Sequence, residues 1–468
     1  MSEWKKVKIG DVCKIVKGTT GIASAEPGKY PLVVTAVERK TCSTYQFDCE
    51  AVCIPLVSSS GHGKKSLNNV HFQSGKFALG TILCAVIPNN SDELDARYLH
   101  QYLQFYKDTV LVPLMKGAAN VSLSMKDITG VSIPLPPIKR QRELAEMFVT
   151  LQEKQKELFT EFEKQTEYAK QLRQNILQEA IEGKLTADWR KQHPVQKGNP
   201  DYDAQALFEQ IQKEKYHTDL FAPNGAHAKK AKSVSSEPIR VTRKEKSLPP
   251  ITEDEIPFEI PIGWKWVRLG DISLFSSAGK SFNCESREAI GDEWGIIKTS
   301  AITSGVFVES ENKFYSKKCN NDVQTKIQMG DFLFCRASGS KGLAGRSCVV
   351  EKISSNLLLS DKSIRIELAQ GISKSLVNML NNSQYGENYR LSLGTNKSTS
   401  MNNLTREQIL NFRIPLPPTA EQKEIVARVE QHIQTITQLE TQIATRETTT
   451  KQLMQSILKD AFGEGIDG

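Results

Sequence analysis

The chain has 468 residues, a mass of 52.3 kDa and a net charge of +7, with 61 lysines and arginines against 54 aspartates and glutamates. Hydrophobic residues make up 39% and charged residues 25%, as in soluble globular proteins, and no apolar run approaches the roughly 20 residues of a membrane span. A transmembrane protein is therefore excluded, and this length predicts about two to four domains. The N-terminus at 1–6 lacks the apolar core of a secretory signal, which predicts a cytoplasmic protein with no membrane partner.

The first part of the chain, 1–137, has the pattern of an α/β domain. Short apolar runs bounded by Gly, Pro and Ser are typical of strands. Such runs occur at 32–35, 51–54 and 81–87, and a helical pattern covers 94–106. The segment ends in Ile-Pro-Leu-Pro-Pro at 133–137, where the two prolines favour the start of a new helix.

A long helix is predicted over 138–183. Apolar residues recur there in steps of four and three, which indicates a coiled coil with a 3.5-residue repeat. The predicted seam residues are Leu144, Phe148, Leu151, Leu158 and Phe162. About 44 residues at 1.5 Å each give roughly 65 Å, which is too long for a helix confined to one compact domain.

The segment 184–262 is predicted to be a linker. Its residues 201–216 have the pattern of a short amphipathic helix. Residues 229–246 are rich in Lys, Arg and Ser, and such runs are typical of solvated linkers, although binding to phosphate remains open.

The second part, 263–418, repeats the ends of the first. Ile-Pro-Leu-Pro-Pro recurs at 414–418, and the motif Trp-Lys-x-Val-x-(Ile/Leu)-Gly-Asp occurs at both 4–11 and 264–271. Such a repeat fixes the architecture before any local prediction does. The middle again has strand patterns and one helical pattern, at 295–298, 331–335, 347–350 and 373–380. The sequence therefore predicts a second α/β domain.

A second long helix is predicted over 419–468, with the same stepping of apolar residues. Its predicted seam residues are Ile425, Val429, Ile436, Leu439 and Ile443, and His432 lies on the same stripe as a packing residue. Because a globular segment precedes each helix, the simplest pairing is antiparallel. Pairing of each helix with a different protein remains the alternative.

The predicted fold class is α/β with a pseudo-two-fold internal repeat. Two α/β domains, 1–137 and 263–418, are separated by two long antiparallel coiled-coil helices, 138–183 and 419–468, and the linker 184–262 joins the halves. A net charge of +7 on so long a chain is compatible with a nucleic-acid partner without requiring one.

The motifs of common catalytic chemistries are not found. Residues 61–66 lack the first glycine of a phosphate-binding loop, and Asn-Pro-Asp-Tyr at 199–202 lacks the second proline of the tetrapeptide used by amino-methylating enzymes. Nine scattered cysteines include no second pair at zinc spacing, so we expect reduced, mostly buried thiols and no metal. We therefore predict a non-catalytic binding protein.

The chain resembles the specificity subunit of type I restriction-modification systems over nearly its whole length. The motifs that carry the resemblance follow the order expected for that family. They are 133–137 with Gln141, 175–180, 183–190, 257–269, and 414–418 with Glu421 and Gln422.

The resemblance implies that each α/β domain is a target-recognition domain, called a target domain below. Each would read one part of a bipartite, asymmetric sequence in double-stranded DNA. It implies that the paired helices set the gap between the two parts and dock two modification (methyltransferase) subunits. Restriction subunits, which carry ATP-driven translocation and cleavage, would join that complex. S-adenosylmethionine, ATP and Mg²⁺ would be used by these partners, with no cofactor in this chain.

Candidate DNA-binding residues lie in polar loops of both target domains. Arginine suits guanine, asparagine suits adenine, and lysine suits phosphate. In the first domain the candidates are Ser60, His62, Lys64, Lys65, Lys116 and Asn120. In the second they are Arg336, Ser338, Ser340, Lys341, Arg346, Asn396 and Lys397. The segment at 394–398 holds the same place before the second long helix as 116–120 holds before the first.

Two other functions remain open at this stage. The first is a scaffold whose two globular domains bind proteins, with the helices as a spacer. The second is an enzyme with an unrecognised site.

Overall fold

The computed structural model describes residues 4–60, 63–220, 239–240, 250–316, 325–340, 342–393 and 402–463. The chain forms two compact units. Unit 1 contains Met1–Thr166 and Thr441–Gly468, and unit 2 contains Glu167–Glu440. Each unit therefore combines one globular part with a segment of each long helix.

The globular part of unit 1 contains ten strands and three short helices among the described residues. The strands are β1 (Lys5–Lys8), β2 (Cys13–Lys17), β3 (Tyr30–Val33), β4 (Lys40–Cys42), β5 (Phe47–Asp48), β6 (Ala51–Pro55), β7 (His71–Gln73), β8 (Lys76–Leu79), β9 (Leu83–Pro88) and β10 (Ser132–Leu135). The helices are α1 (Ile9–Val12), α2 (Ala96–Val110) and α3 (Met125–Thr129), and the long helix α4 (Ile138–Ile181) follows.

Two four-stranded sheets form the centre of unit 1. Their strand orders are β2-β9-β6-β7 and β4-β3-β8-β5, in which β3 and β8 pair in parallel and the other neighbours are antiparallel. The strand β6 (Ala51–Pro55) is buried along its whole length, which accounts for its continuous apolar sequence. Helix α2 packs on this sheet through an apolar face that includes Tyr98, Leu99 and Leu103.

Unit 2 repeats this set of elements and adds helices from the predicted linker. Its short helices are α5 (Ala187–Gln192), α6 (Ala204–Leu220), α7 (Ser300–Thr303), α8 (Lys374–Asn382), α9 (Gln384–Ser392) and α10 (Arg406–Leu410). Its strands are β11 (Ile239–Arg240), β12 (Lys265–Arg268), β13 (Ser273–Ala278), β14 (Trp294–Ile297), β15 (Asn312–Tyr315), β16 (Phe332–Cys335), β17 (Ala337–Ser338), β18 (Ser347–Val349), β19 (Asn356–Leu358), β20 (Ser363–Leu368), β21 (Asn402–Asn403) and β22 (Arg413–Leu416). The second long helix is α11 (Thr419–Gly463).

The central strands pair in the same order in both units. In unit 2 the order β13-β20-β16-β18 corresponds to β2-β9-β6-β7, with β11 added at one edge. The sheet β15-β14-β19 corresponds to β4-β3-β8, including the parallel pair at β14 and β19. The predicted fold of two repeated α/β domains is therefore confirmed.

The repeated sequence motifs meet each other in each unit. Strand β1 pairs with β10 from Lys5 opposite Leu135 to Lys8 opposite Ser132. Strand β12 pairs with β22 in the same register, from Lys265 opposite Leu416 onwards. The two ends of each globular part thus form one small antiparallel sheet directly before a long helix, which explains why these ends are the repeated part of the sequence.

The two long helices pair with each other and are antiparallel. In unit 1, early residues of α4 meet late residues of α11: Phe148 and Phe462 have ring centroids 6.3 Å apart, and Lys451 Nζ lies 5.1 Å from the centroid of the Phe159 ring. In unit 2 a late residue of α4 meets an earlier residue of α11, since Arg173 forms an ion pair of 3.0 Å with Glu440.

The seam between these helices departs from the predicted heptad. Leu158 and Leu439 are 45% and 44% exposed, and His432 is also exposed, so these positions were wrongly assigned to the seam. The next residue in the chain, Phe159 or Ile433, is half-buried instead. A straight helix repeats every 3.6 residues and not every 3.5, so single positions of a strict heptad pattern turn away from the seam and the neighbouring residue packs there instead. The other predicted seam residues are buried or half-buried: Leu144, Phe148, Leu151, Phe162, Ile425, Val429, Ile436 and Ile443.

Much of the predicted linker belongs to the core of unit 2. Leu207 and Ile211 of α6 are fully buried in the same apolar cluster as Trp264. The basic segment 229–246 lies outside the described residues, apart from 239–240. None of the helices in the described part of the chain is long and apolar enough to cross a membrane.

Candidate nucleic-acid interface

Two loops that contain predicted DNA-binding residues lie together in unit 1. The Ser58 backbone N–H donates to Val121 O at 3.0 Å, and Val57 forms an isolated bridge with Ser122. Gly63 has φ +74, and a Cβ there would lie 2.3 Å from Ala118 O, so this close approach of the two loops requires glycine. We call residues 57–60, 63–66 and 115–122 the unit 1 loop cluster.

The predicted residues of unit 1 lie on the surface of this cluster. Lys64, Lys65 and Asn120 are exposed. Ser60 accepts a hydrogen bond of 2.8 Å from Ser66 Oγ, which closes the base of the first loop. His62 lies outside the described residues.

Lys116 is the one predicted cation of the unit 1 loop cluster with an ion pair described in the structure. Its Nζ lies 3.2 Å from Asp127 Oδ1, while the lysine side chain is 76% exposed. Hydrogen bonds from Ser124 and from Lys116 lower the pKa of Asp127. The pair is at the surface, where the high dielectric constant keeps its energy small, so a phosphate can replace Asp127 as the partner of Lys116.

An equivalent loop cluster lies in unit 2. The short strand β17 pairs with β21, so that Ala337 lies opposite Asn403 and Ser338 opposite Asn402. We call residues 336–346 and 402–404 the unit 2 loop cluster, excluding residue 341, which the structure does not describe. Lys341, Asn396 and Lys397 were predicted to bind DNA and lie outside the described residues.

The remaining predicted residues of unit 2 differ in exposure. Arg336 and Ser340 are exposed, whereas Ser338 is buried and accepts a hydrogen bond from the Ser340 backbone N–H at 3.2 Å. Ser338 therefore shapes the loop, while Arg336 and Ser340 remain accessible.

Arg346 is half-buried beside a second arginine. Its Nε is buried without a hydrogen-bond partner among the described residues. Burial and the nearby charge of Arg346 lower the pKa of Arg390 to about 10. Arg390 is held in place by hydrogen bonds to the backbone oxygens of Gly342 and Asn381.

The two loop clusters occupy topologically equivalent positions. Leu123 N–H donates to Leu56 O in unit 1, and Leu404 N–H donates to Arg336 O in unit 2, both at 2.9 Å. On the other side, Leu56 N–H donates to Ile82 O and Arg336 N–H donates to Lys362 O, at 2.8 and 2.7 Å. The two units thus share the same pattern of backbone hydrogen bonds here but carry different side chains on it.

Sequence reasoning missed a basic groove in unit 2. Four lysines, at positions 280, 298, 313 and 362, line it together with polar residues such as Asn283 and Thr299. They are far apart in the sequence, and they lie within or next to four different strands. No sequence motif marks them, because strand pairing alone brings them together.

The thiols are mostly buried. Burial raises the pKa of Cys13, Cys84 and Cys348 to about 12, so these side chains stay protonated at neutral pH. Among the described residues, no group of three or more His, Cys, Asp or Glu side chains is placed to hold a metal ion.

Comparison with solved structures supports the fold over the whole chain. The crystal structure of the HsdS subunit from Thermoanaerobacter tengcongensis is 16% identical with a TM-score of 0.53, and the alignment covers 100% of this chain and 98% of that chain. A chain from a structural study of complex assembly and conformational transition of the type I R-M system is 17% identical with a TM-score of 0.58, and the alignment covers 100% and 99% of the two chains. At these identities the likeness concerns the fold.

The fold defines a class of proteins with two repeated α/β domains on a helical spacer. The family profile of the type I restriction modification DNA specificity domain matches residues 1–176 and 261–446. The chain therefore belongs to this family.

Curated relatives agree with this assignment. The EcoEI specificity subunit of Escherichia coli is 31% identical over 293 residues, which cover 62% of this chain and 45% of the relative. The EcoKI specificity subunit of Escherichia coli strain K12 is 24% identical over 350 residues, which cover 75% and 61% of the two chains. The matched segments thus span about half to three fifths of the length of these two relatives.

Proposed function

We propose that this protein is the sequence-specific DNA-binding subunit of a type I restriction-modification complex. Each unit reads one part of a bipartite, asymmetric target through its loop cluster. The observation that carries the proposal is that both units repeat one pattern of backbone hydrogen bonds with different side chains, such as half-buried Leu56 in unit 1 and exposed Arg336 in unit 2. Two similar but non-identical readers in one chain suit an asymmetric target, which a symmetric dimer cannot match in this way.

The candidate residues have the chemistry that reading DNA requires. Exposed Lys64, Lys65 and Lys116 supply phosphate contacts, while Asn120 and Arg336 supply donors that reach base edges. Membership of the specificity family supports the assignment of these loops to DNA. The domain bounds 1–137 and 263–418 are part of the same proposal.

The chain itself performs no catalysis in this proposal. Two modification subunits supply S-adenosylmethionine-dependent methyl transfer, and restriction subunits supply the chemistry that uses ATP and Mg²⁺. All of these steps occur in the cytoplasm. The relatives that match the sequence are named specificity subunits, which supports this division of roles.

The long helices offer the surface on which modification subunits dock. Large apolar side chains are exposed along them outside the seam: Val149, Leu158, Tyr168, Leu172, Leu439 and Leu453. Large apolar side chains that stay exposed on a helix are typical of a surface that a partner covers. The residues Leu158 and Leu439, which do not form the seam, belong to this docking surface.

Selection from a randomised duplex library tests the proposal, with the chain co-purified with its modification subunits. We expect a gapped, asymmetric consensus. Replacing one globular part by that of an unrelated specificity subunit should change one part of the consensus and leave the other intact. A complex that shows no preference among duplexes contradicts the proposal and favours a protein-binding scaffold on the same helices.

A further inference from the structure

The basic groove of unit 2 lies beside the loop cluster and has a volume of about 530 Å³. Its lysines come from four places in the fold. Lys280 follows β13, Lys298 follows β14, Lys313 lies within β15, and Lys362 precedes β20. Asp361 is the acidic residue among the described residues that line the groove.

Lysines outnumber carboxylates in the described lining of the groove, which holds four lysines and one acidic residue, Asp361. Lys298 Nζ lies 3.5 Å from Glu311 Oε2, but Glu311 also accepts a hydrogen bond of 2.6 Å from Ser300 Oγ. Both side chains of this ion pair are at least one-third exposed, so the interaction is weak and easily exchanged.

The groove and the unit 2 loop cluster are joined by a backbone hydrogen bond. Arg336, which is exposed, donates its backbone N–H to Lys362 O at 2.7 Å. A cation of the loop cluster and a cation of the groove are thus joined through the backbone. A ligand that touches the loop cluster and carries repeated negative charge can extend along the groove.

The described part of unit 1 has no equivalent of most of this charge. Lys313 lies opposite Ile296 in unit 2, and Lys40 lies opposite Leu32 at the same place in unit 1. This one lysine of the groove therefore has a counterpart in unit 1. Lys280 forms an isolated β-bridge with Ser360. The corresponding β-bridge of unit 1 joins Thr20 to Gly80, so an uncharged residue takes the place of Lys280 there. The backbone hydrogen bond between Arg336 and Lys362 corresponds to the one between Leu56 and Ile82, which are both apolar.

We propose that this groove binds the sugar-phosphate backbone of the duplex beside the part of the target that unit 2 reads. The inference rests on the proposed function and adds a contact that the described residues of unit 1 do not repeat. Lysine is a compact charge that binds phosphate without reading bases. The groove therefore contributes affinity and orientation, while the loop clusters contribute sequence preference.

Binding measured against salt concentration tests this inference, using the full chain in complex with its modification subunits. The test variant is K280Q/K298Q/K362Q. A charge-matched control, K197Q/K213Q/K352Q, removes three exposed lysines elsewhere in unit 2. A third variant, K280R/K298R/K362R, keeps the charge of the groove. Target and unrelated duplexes are both titrated.

A plot of log K against log salt has a negative slope. The charge-removing variant should make this slope shallower by about 0.9 for each phosphate that a lysine no longer neutralises, or by up to about 2.7 for three. Its affinity for target and unrelated duplexes should fall by the same factor, and the arginine variant should keep the slope of the wild type. A slope equal to that of the control variant overturns the inference while the proposed function stands. Wild-type complex that binds both duplexes equally overturns the proposed function, even if the slope changes.

Alkylation of Cys284 gives a second readout that needs no variant. Cys284 lines the groove and is half-buried. Saturating target duplex should slow its reaction with N-ethylmaleimide several-fold, and half-buried Cys49 in unit 1, outside the loop cluster, serves as the internal reference. An unchanged rate at Cys284 with duplex bound overturns the inference.

Discussion

Gln141, in the first turn of α4, accepts a hydrogen bond of 2.8 Å from the backbone N–H of Asp95, the residue that caps α2. The same amide donates to Glu93 O at 2.9 Å and Pro136 O at 2.8 Å, and Gln141 is fully buried. Unit 2 repeats the relationship. Gln422 accepts from the backbone N–H of Ser373, the cap of α8, at 2.8 Å and donates to Pro417 O at 3.0 Å. In each unit, one glutamine thus connects the start of the long helix by hydrogen bonds to the globular part that precedes it.

Replacing Gln141 by Leu should destabilise unit 1. The change keeps the volume but leaves three buried backbone groups without this partner, and we expect a loss of about 2 to 3 kcal/mol in the free energy of unfolding. Urea denaturation followed by circular dichroism measures the loss. Gln171, which is exposed on the same helix, provides the control Gln171→Leu. Equal stability of the two variants would contradict this role of Gln141.

Glu421 should be among the most sensitive residues of unit 2. Its carboxylate is buried, forms an ion pair with Arg190 and accepts hydrogen bonds of 2.7 Å from Trp264 Nε1 and from Thr186 Oγ1. Glu421→Gln leaves the guanidinium of Arg190 without its counter-charge, at a cost of about 3 kcal/mol.

A milder change at the same place serves as the comparison for Glu421→Gln. Trp264→Phe removes one hydrogen bond to the same carboxylate and keeps the ion pair, which should cost about 1 to 2 kcal/mol. Thermal unfolding measured by calorimetry should rank the two variants in this order. The reverse order would show that the ion pair does not stabilise unit 2.

His71 should make the stability of unit 1 depend on pH. Its Nδ1 lies 3.2 Å from Arg39 Nη1, and burial together with that guanidinium lowers the pKa of His71 to about 4. The unfolded chain, with an ordinary histidine pKa near 6.5, takes up the proton first. This contribution to stability is therefore complete above about pH 6.5 and is lost as the pH falls towards 4.

Denaturation curves of His71→Gln at several pH values measure this effect. The variant should lose part of the pH dependence between about 4 and 6.5. His432, which is exposed on α11, offers His432→Gln as the control variant. A parallel profile for His71→Gln and the wild type would show that His71 protonates equally in both states.

Lengthening the spacer should change the gap of the target and nothing else. Insertion of seven residues after Thr166 in α4 and seven after Glu440 in α11 adds about 10.5 Å to each helix, close to three base pairs of B-DNA. Library selection should return the same two half-sites with a gap longer by about three base pairs. A change in either half-site would contradict separate roles for the loop clusters and the helices.

Asn120 should influence one half-site. It is exposed in the unit 1 loop cluster, and asparagine recognises adenine by paired hydrogen bonds. Asn120→Ala should relax the preference at one position by about 1 to 3 kcal/mol and leave the half-site read by unit 2 unchanged. Lys64→Gln, in the same cluster, should weaken binding to all duplexes alike. Identical effects of the two variants would contradict their assignment to base and phosphate.

The repeat allowed the architecture to be predicted from the sequence. Its two motifs form the small sheets β1-β10 and β12-β22, and the bounds of the long helices follow from Pro137 and Pro418 at their starts. The loop clusters were also predicted in part, because polar loops next to the repeated motifs are visible in the sequence. These features are local, and local sequence determines them.

The sequence alone did not predict which helix face is buried or where the groove lies. Phe159 packs in the seam in place of Leu158, because the helix repeats every 3.6 residues whereas the heptad pattern assumes 3.5. Segment 201–216 was predicted as a helix, yet its burial depends on the apolar surface around Trp264.

The sequence by itself determined the two domains, the helical spacer and the family. Only the tertiary structure decided that Lys280, Lys298, Lys313 and Lys362 line one groove and that Ser338 is buried beside exposed Arg336. The reason is physical, because the pairing of distant strands sets which side chains share a surface. That pairing is a property of the whole fold and leaves no periodic mark in the chain.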